Sequence, residues 1–344
     1  MKVFWDPIQL SHSPQFFLQR GRVRQNFEVP ERAEILLAAC NEMGLEINLP
    51  GLVDTRAINA VHSANYLAFL SDGPTAWNAM FDGGSEMVPN VHPTPEMFNQ
   101  GAKPASTIMG QVGWFVADAS CPITATTWPS AFAAASCAIA AANNVADGHP
   151  TYALTRPPGH HAYMERAGGH CYLNNAAVAA EQLRLLGAKK VAIIDIDSHH
   201  GNGTQGIFWD RADVLFASVH GDPNGYYPWY VGHVDELGGG DGFGCNINLP
   251  LARNTADAGW LEAIEYLITS IKKFESDALV ISLGFDASEH EPLQFLAVTE
   301  DAFARAGALI AGLNLKSVII QEGGYNKEML GKLLRRFLEG FLSA

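Results

Sequence analysis

An α/β fold, a parallel sheet wrapped by helices, is predicted for this 344-residue chain by three features. Short apolar runs alternate with segments of helical spacing, each run ends abruptly in polar residues, and no Pro/Ser-rich linker divides the chain. In order, the runs are KVFWD at the start, TYALTRPPGHH from 151, VAIIDID from 191, DVLFASVHGD from 213, ALVISLGFD from 278 and SVIIQEGGY from 317. Unbroken apolar runs of this length suit strands buried on both faces. Between them, residues 175–186, 256–274 and 299–313 carry helical spacing. Residues 11–30 and 71–130 show little regular periodicity and read as long loops, suited to a substrate rim or to subunit contacts. The whole of 1–344 reads as one domain. In parallel sheets ligands gather outside the carboxyl ends of the strands, which is where this chain places its Asp, His and Tyr residues.

Composition narrows the function classes. A hydrophobic content of 48% supports a large core, and a net charge of −14 argues against a nucleic-acid partner while mildly favouring cationic small substrates. Cys40, Cys121, Cys137, Cys171 and Cys245 are odd in number and never form a CxxC pair, so neither a disulfide framework nor a thiolate zinc site is indicated. That usage fits a reducing cytoplasm. The start MKVFWDPIQL has no apolar signal core, and the longest apolar stretch, 131–142, is too short and alanine-rich to span a bilayer. A soluble protein without a membrane partner is expected.

The chemistry concentrates in VAIIDIDSHHGNGTQ. Carboxylates and imidazoles that close a buried strand must recover their desolvation cost, and alternate residues of an extended chain share a face, so Asp195, Asp197 and His199 line up where the strand runs out. Asp197, His199 and a third ligand from another strand end would make a metal site with a position open for water, and Asp286 is the natural third. Two oxygens and one nitrogen suit Zn²⁺ without excluding Fe²⁺, Co²⁺ or Mn²⁺. The competing reading, in which these residues merely cap a strand or pair with arginines, weakens once Asp286 is counted. His160 and His161 follow two prolines and a glycine that fix the chain, and with Asp195 and Asn202 unallocated, one ring suits a general base. Tyr325, after two glycines, could donate to an oxyanion or simply pack. No GxSxG elbow or Walker loop is present, so hydrolysis by metal-activated water is the economical reading.

The segments RPPGHHA, GGHCYLNNAAVAA, DIDSHHGNGTQ, SLGFDASEHEP and EGGY, in this order and spacing, resemble the histone deacetylase superfamily; FEVPERAEIL at 27–36 and AVHSANYLAFL at 60–70 are similar to its bacterial acetylpolyamine amidohydrolase branch. The resemblance implies an arginase/deacetylase fold with a central eight-stranded parallel sheet flanked by helices. It implies one Zn²⁺ on Asp197, His199 and Asp286, His161 as general base, His160 as electrostatic partner or general acid held by Asp195, and Tyr325 as carbonyl clamp. A structural K⁺ would map to Asp195, Asp197, His199, Ser218 and Val219. Asn202 stands where class I members have an Asp, as in the class II and polyamine branches, and should leave His161 a weaker base that is more often neutral. Gly169 and His170 match one wall of the acyl tunnel and Tyr227 the opposite wall. A homodimer is the family habit.

Departures concern the substrate. Met109 and Ser120 occupy positions where the polyamine enzymes carry acidic groups, Asp118 is the one acid of that stretch, and Arg20, Arg22 and Arg24 lie in the first loop, where a solvated face is the simpler reading. The resulting expectation is a zinc-dependent amidohydrolase acting on a small acylated amine, an acetylpolyamine or acetyl-lysine-like molecule. A protein-lysine deacetylase is the alternative. An arginase-like ureohydrolase is disfavoured because Ser288 lacks the carboxylate a second metal would need, and an inactive binding protein would not require His161 and Tyr325 together.

Overall fold

Strands β1 (Lys2–Phe4), β2 (Phe16–Gln19), β3 (Arg22–Gln25), β4 (Glu46–Asn48), β5 (Thr151–Ala153), β6 (Val191–Asp195), β7 (Val214–Gly221), β8 (Asn246–Leu251), β9 (Ala278–Leu283) and β10 (Lys316–Gln321) carry the architecture in the computed structural model, which describes residues 1–145 and 148–344. Eight of them form one sheet in the order β4-β1-β5-β10-β9-β6-β7-β8, and every pairing is parallel. The fold is therefore the expected single α/β domain with an eight-stranded parallel sheet.

Alternation along the strands divides the core into two layers. Val191, Ile193, Val280, Val318 and Ile320 face one layer, and Ala192, Ile194, Leu279, Ile281 and Ile319 face the other. On the first face the helices Thr127–Asn144 and Asn175–Leu185 pack against each other and the sheet. Their alanines let the two backbones approach closely, which is why the 131–142 stretch is a core helix. On the second face lie Pro30–Glu42, Asp257–Phe274, Glu300–Ala311 and Leu330–Leu342. Gly307 and Gly340 sit where a Cβ would strike the backbone of the facing helix, so glycine sets that crossing.

The periodicity reading fell short in three places. β4 and β8 are the two sheet edges; β4 is three residues long, both are partly exposed, and neither forms an unbroken apolar run. Residues 11–30, read as a loop, contain an antiparallel hairpin, β2 against β3, whose turn Arg20-Gly21 has φ of +51° and +69°. Residues 71–130 hold the end of helix Ala64–Asn78, the helices Pro95–Asn99 and Ile108–Phe115, and the start of Thr127–Asn144. Gly110 and Gly113 obscured the helical pattern of 108–115; a Cβ at Gly113 would collide with the Val91 carbonyl. Among the described residues no helix is long and apolar enough to cross a membrane.

Candidate active site

Neighbouring strands β6 and β9 end side by side and deliver the metal-ligating types together. Asp195 closes β6, Asp197 and His199 follow it, and Asp286 lies three residues past β9. One ligand atom from each of Asp197, His199 and Asp286 lies within 4.8 Å of the others, and all three residues are buried. His199 Nδ1 is 2.8 Å from Asp286 Oδ2 and 3.2 Å from Asp197 Oδ1. Backbone amides hold the carboxylates: Ser198 N–H donates to Asp286 Oδ1 at 2.7 Å, and Gly323 N–H donates to Asp197 Oδ2 at 2.9 Å. A Cβ at Gly323 would stand 2.6 Å from both Asp197 Oδ2 and Asp286 Oδ2, and one at Gly284 would collide with Asp197. The glycines therefore leave a cradle that only a small ion can share. Two carboxylates held together in a desolvated pocket call for a cation, and O, O, N donors fit Zn²⁺.

The adjacent histidines have different partners. His160 Nδ1 donates to Asp195 Oδ2 at 3.0 Å, whereas His161 Nδ1 donates to Asn202 Oδ1 at 2.6 Å. Burial alone would lower the pKa of His160, but Asp195 and Asp197 override it and push it up to about 10. For His161 burial is reinforced by the charge on His160 and outweighs the Asn202 bond, so its pKa falls well below 6.5. His161 is neutral, with its proton on Nδ1, and its Nε2 is left free beside His199, whose ring centroid is 5.9 Å away.

Tyr325 stands half-buried across the site, 6.2 Å between ring centroids from His170, and its hydroxyl makes no hydrogen bond among the described residues. Three residues that the periodicity reading did not single out hold this side. Glu291 accepts from the Tyr325 and Asn326 N–H groups at 3.0 Å. Arg32 donates to the carbonyls of Glu322 and Gly324 at 2.8 and 2.6 Å, with its guanidinium 4.8 Å from the Tyr325 ring centroid. Glu322 Oε2 accepts from Gly159 N–H at 2.7 Å and His160 N–H at 3.1 Å, tying the histidine loop to β10; burial pushes its carboxyl up to about 7 against the pull of His160. The sequence signal for Glu322 was present: it is an acid at the end of an apolar strand, like Asp195.

The cluster opens into a cavity of about 840 Å³. Phe17 and Phe27 from the hairpin region, Gly169 and His170, Tyr226 and Tyr227, and Trp229 form its walls. A Cβ at Gly169, at φ +52°, would come within 2.9 Å of the Tyr227 hydroxyl, so the walls are close there. Asp118, expected at most as a substrate contact, braces them: Oδ2 accepts from Tyr227 Oη at 2.6 Å and Gly169 N–H at 3.1 Å, and Oδ1 from Ser120 N–H at 2.8 Å. His170 packs edge-on to Phe17, and burial lowers its pKa to about 4. Ser218 pairs in register with Asp195 and its hydroxyl is 2.8 Å from His220 Nδ1, while Val219 continues β7 beside it. The backbone oxygens of Asp197 and His199 accept no hydrogen bond among the described residues. Arg20 is exposed and is also among the residues that line the cavity.

Comparison with known proteins points the same way. The family model for the histone deacetylase domain matches residues 26–341. The chain is 44% identical over 343 residues to the acetylpolyamine amidohydrolase of Burkholderia pseudomallei (strain 1710b), covering 99% of this chain and 98% of that one. It is 38% identical to acetylpolyamine amidohydrolase 1 of Pseudomonas aeruginosa, across 100% and 99% of the two chains. The crystal structure of the acetylpolyamine aminohydrolase from Burkholderia pseudomallei superposes with a TM-score of 0.95 at 43% identity, covering 99% and 98%.

Proposed function

The chain belongs to the histone deacetylase family, and on that premise we propose that it is a zinc-dependent amidohydrolase that removes acetyl or another short acyl group from small acylated amines, acetylpolyamines first among them. The observation that carries this is the Asp197–His199–Asp286 cluster opening into a walled cavity beside a neutral His161. Zn²⁺ held by those three residues supplies Lewis acidity toward an amide carbonyl and a water. His161 receives the water proton on Nε2, because Nδ1 already donates to Asn202. His160, kept positive by Asp195, offsets the charge that develops next to it. Tyr325 donates its unengaged hydroxyl to the oxyanion. Phe17, Gly169, His170 and Tyr227 clasp the aliphatic stem. A K⁺ at the oxygens of Asp195, Asp197, His199, Ser218 and Val219 is supported by the unengaged carbonyls of Asp197 and His199.

Residues 11–30 and 71–130 form part of the rim in this reading and also a dimer contact. Phe17 and Asp118 at the cavity support the first role, and the exposed Phe81, Val91, Phe98 and Met109 support the second. A reducing, cytoplasmic setting is supported by five unpaired cysteines. The test is a panel of acetylputrescine, acetylcadaverine and acetyl-lysine peptides assayed with the zinc-loaded and the chelated protein. Zinc-dependent release of acetate from the diamines upholds the proposal, release from the peptides alone moves it to a protein-lysine deacetylase, and no release from any overturns it.

A further inference from the structure

His199 lacks the bond that ordinarily fixes a ligating imidazole. Its Nδ1 faces both carboxylates of the cluster, 2.8 Å from Asp286 Oδ2 and 3.2 Å from Asp197 Oδ1, so Nδ1 is the ligand atom. The other nitrogen, Nε2, makes no hydrogen bond among the described residues. A metal-bound histidine ordinarily donates that second N–H to a carboxylate or carbonyl, which sets the rotation of the ring. His199 is held by its face instead. The Tyr226 ring lies flat against it, with centroids 4.4 Å apart and planes 16° from parallel, while Tyr227 stands edge-on at 6.1 Å.

Tyr226 is itself fixed on its other side. Phe295 packs against it at 4.4 Å and 30°, and two rings cannot both stack on one face at that separation, so Tyr226 is sandwiched between His199 and Phe295. The Arg253 guanidinium, 4.3 Å from the Phe295 centroid, closes the outer end of the column. Glycine makes room for it: a Cβ at Gly221 would stand 2.5 Å from Phe295 Cδ1 and 2.9 Å from Tyr226 Cδ1. The phenol hydroxyl then joins the two loops that carry the ligands. It donates to the Leu293 carbonyl at 3.3 Å, in the segment after Asp286, and accepts from Ser198 Oγ at 3.2 Å, between Asp197 and His199. The backbone adds a second tie to the same turn, with Gly221 N–H donating to the Ser198 carbonyl at 2.8 Å.

We propose that Tyr226 is a positioning residue for the metal site: its ring holds the His199 imidazole in the plane that aims Nδ1 at the ion, and its hydroxyl locks the Asp197–His199 turn to the Asp286 loop. The proposal rests on the three-ligand site described above and adds what keeps that site assembled. Because the next residue, Tyr227, is a wall of the cavity, a single segment both shapes the tunnel and secures the metal.

The experiment compares wild type, Tyr226→Phe, Tyr226→Leu and Phe295→Leu in the absence of substrate. Phe at 226 keeps the flat face and loses the hydroxyl, whereas Leu keeps bulk and loses both. Zinc affinity is read by competition with a chromophoric chelator, and the visible absorption of the Co²⁺-loaded proteins reports ligand geometry. Tyr226→Leu is expected to lower zinc affinity about 10- to 100-fold and to shift the Co²⁺ bands. Tyr226→Phe should keep the wild-type bands and lose about threefold to tenfold in affinity, the worth of one hydroxyl link. Phe295→Leu removes packing from the outer face of Tyr226 but leaves the face of His199 covered, so both readouts should stay close to wild type. A folded Tyr226→Leu protein with wild-type affinity and bands overturns the proposal, as does Phe295→Leu matching the loss in Tyr226→Leu, which would reduce Tyr226 to general packing. Where Tyr226→Leu does not fold, Tyr226→Phe decides, and unchanged affinity in that variant overturns the link between the loops. Wild-type protein that binds neither Zn²⁺ nor Co²⁺ overturns the metal-site reading itself.

Discussion

Substituting Gly323→Ala tests the metal cradle with one methyl group. The Cβ would lie 2.6 Å from Asp197 Oδ2 and 2.6 Å from Asp286 Oδ2, well inside ordinary van der Waals contact. Gly323 does not have a positive φ, so alanine is acceptable to the backbone and the perturbation is the clash itself. Relief requires both carboxylates to retreat by several tenths of an ångström and strains the 2.9 Å bond from Gly323 N–H to Asp197. Metal sites tolerate about ±0.2 Å in ligand distances, and disturbing the groups that orient ligands typically costs about 10- to 100-fold in affinity. The expected outcome is a drop in zinc affinity of that order, measured by competition with a chromophoric chelator, with an unchanged far-UV circular dichroism spectrum. A folded Gly323→Ala protein that retains wild-type zinc affinity would refute the placement of the ion between Asp197 and Asp286.

Three further outcomes are expected. Tyr325→Phe should lower turnover by roughly 10² or more with zinc content unchanged, the cost of one oxyanion donor; near-normal turnover removes the clamp. Asp118→Ala deletes three accepted hydrogen bonds, two of them from opposite tunnel walls, and should raise KM more than it lowers kcat in steady-state assays of any accepted acyl amine. His62 is buried as a neutral ring that accepts from Asn174 N–H at 2.9 Å, and burial, partly opposed by the Met164 and Tyr163 carbonyls, lowers its pKa to about 4. Its folded pKa is depressed, so its contribution is complete above the unfolded value near 6.5 and is lost as pH falls toward 4, at about 1.4 kcal/mol per unit. Urea denaturation should therefore show wild type losing about 2 kcal/mol more than His62→Gln between pH 7 and pH 5.

How much was legible follows from where each residue sits. Asp195, Asp197, His199, Asp286 and Tyr325 end or closely follow apolar strands, so a polar side chain stands out against a buried run, and the parallel sheet then places those ends together. The edges β4 and β8 have no such contrast because solvent reaches one side of them. The hairpin was hidden by its turn: Arg20-Gly21 lacks the Asn-Gly signal, although both residues adopt positive φ. The bracing acids are illegible for another reason. Glu291 serves amides 34 and 35 residues away, and Asp118 serves Gly169 and Tyr227, 51 and 109 residues away, so no local period marks them.

One local contrast gives the site its division of labour. His160 and His161 are sequence neighbours, both are buried, and their ring centroids are 4.0 Å apart, so desolvation disfavours charge on both. Two protonated rings at that separation would repel each other, and the partners decide which one carries the charge. Asp195 brings a full negative charge to His160, whereas Asn202 offers His161 only a carbonyl dipole. The charge settles on His160 and, through the repulsion between the rings, lowers the proton affinity of His161 further. An aspartate at position 202 would oppose this separation by drawing positive charge onto His161. Asn202 instead fixes the ring and its tautomer while leaving Nε2 unprotonated near neutral pH, which is the state a general base must occupy before the reaction begins.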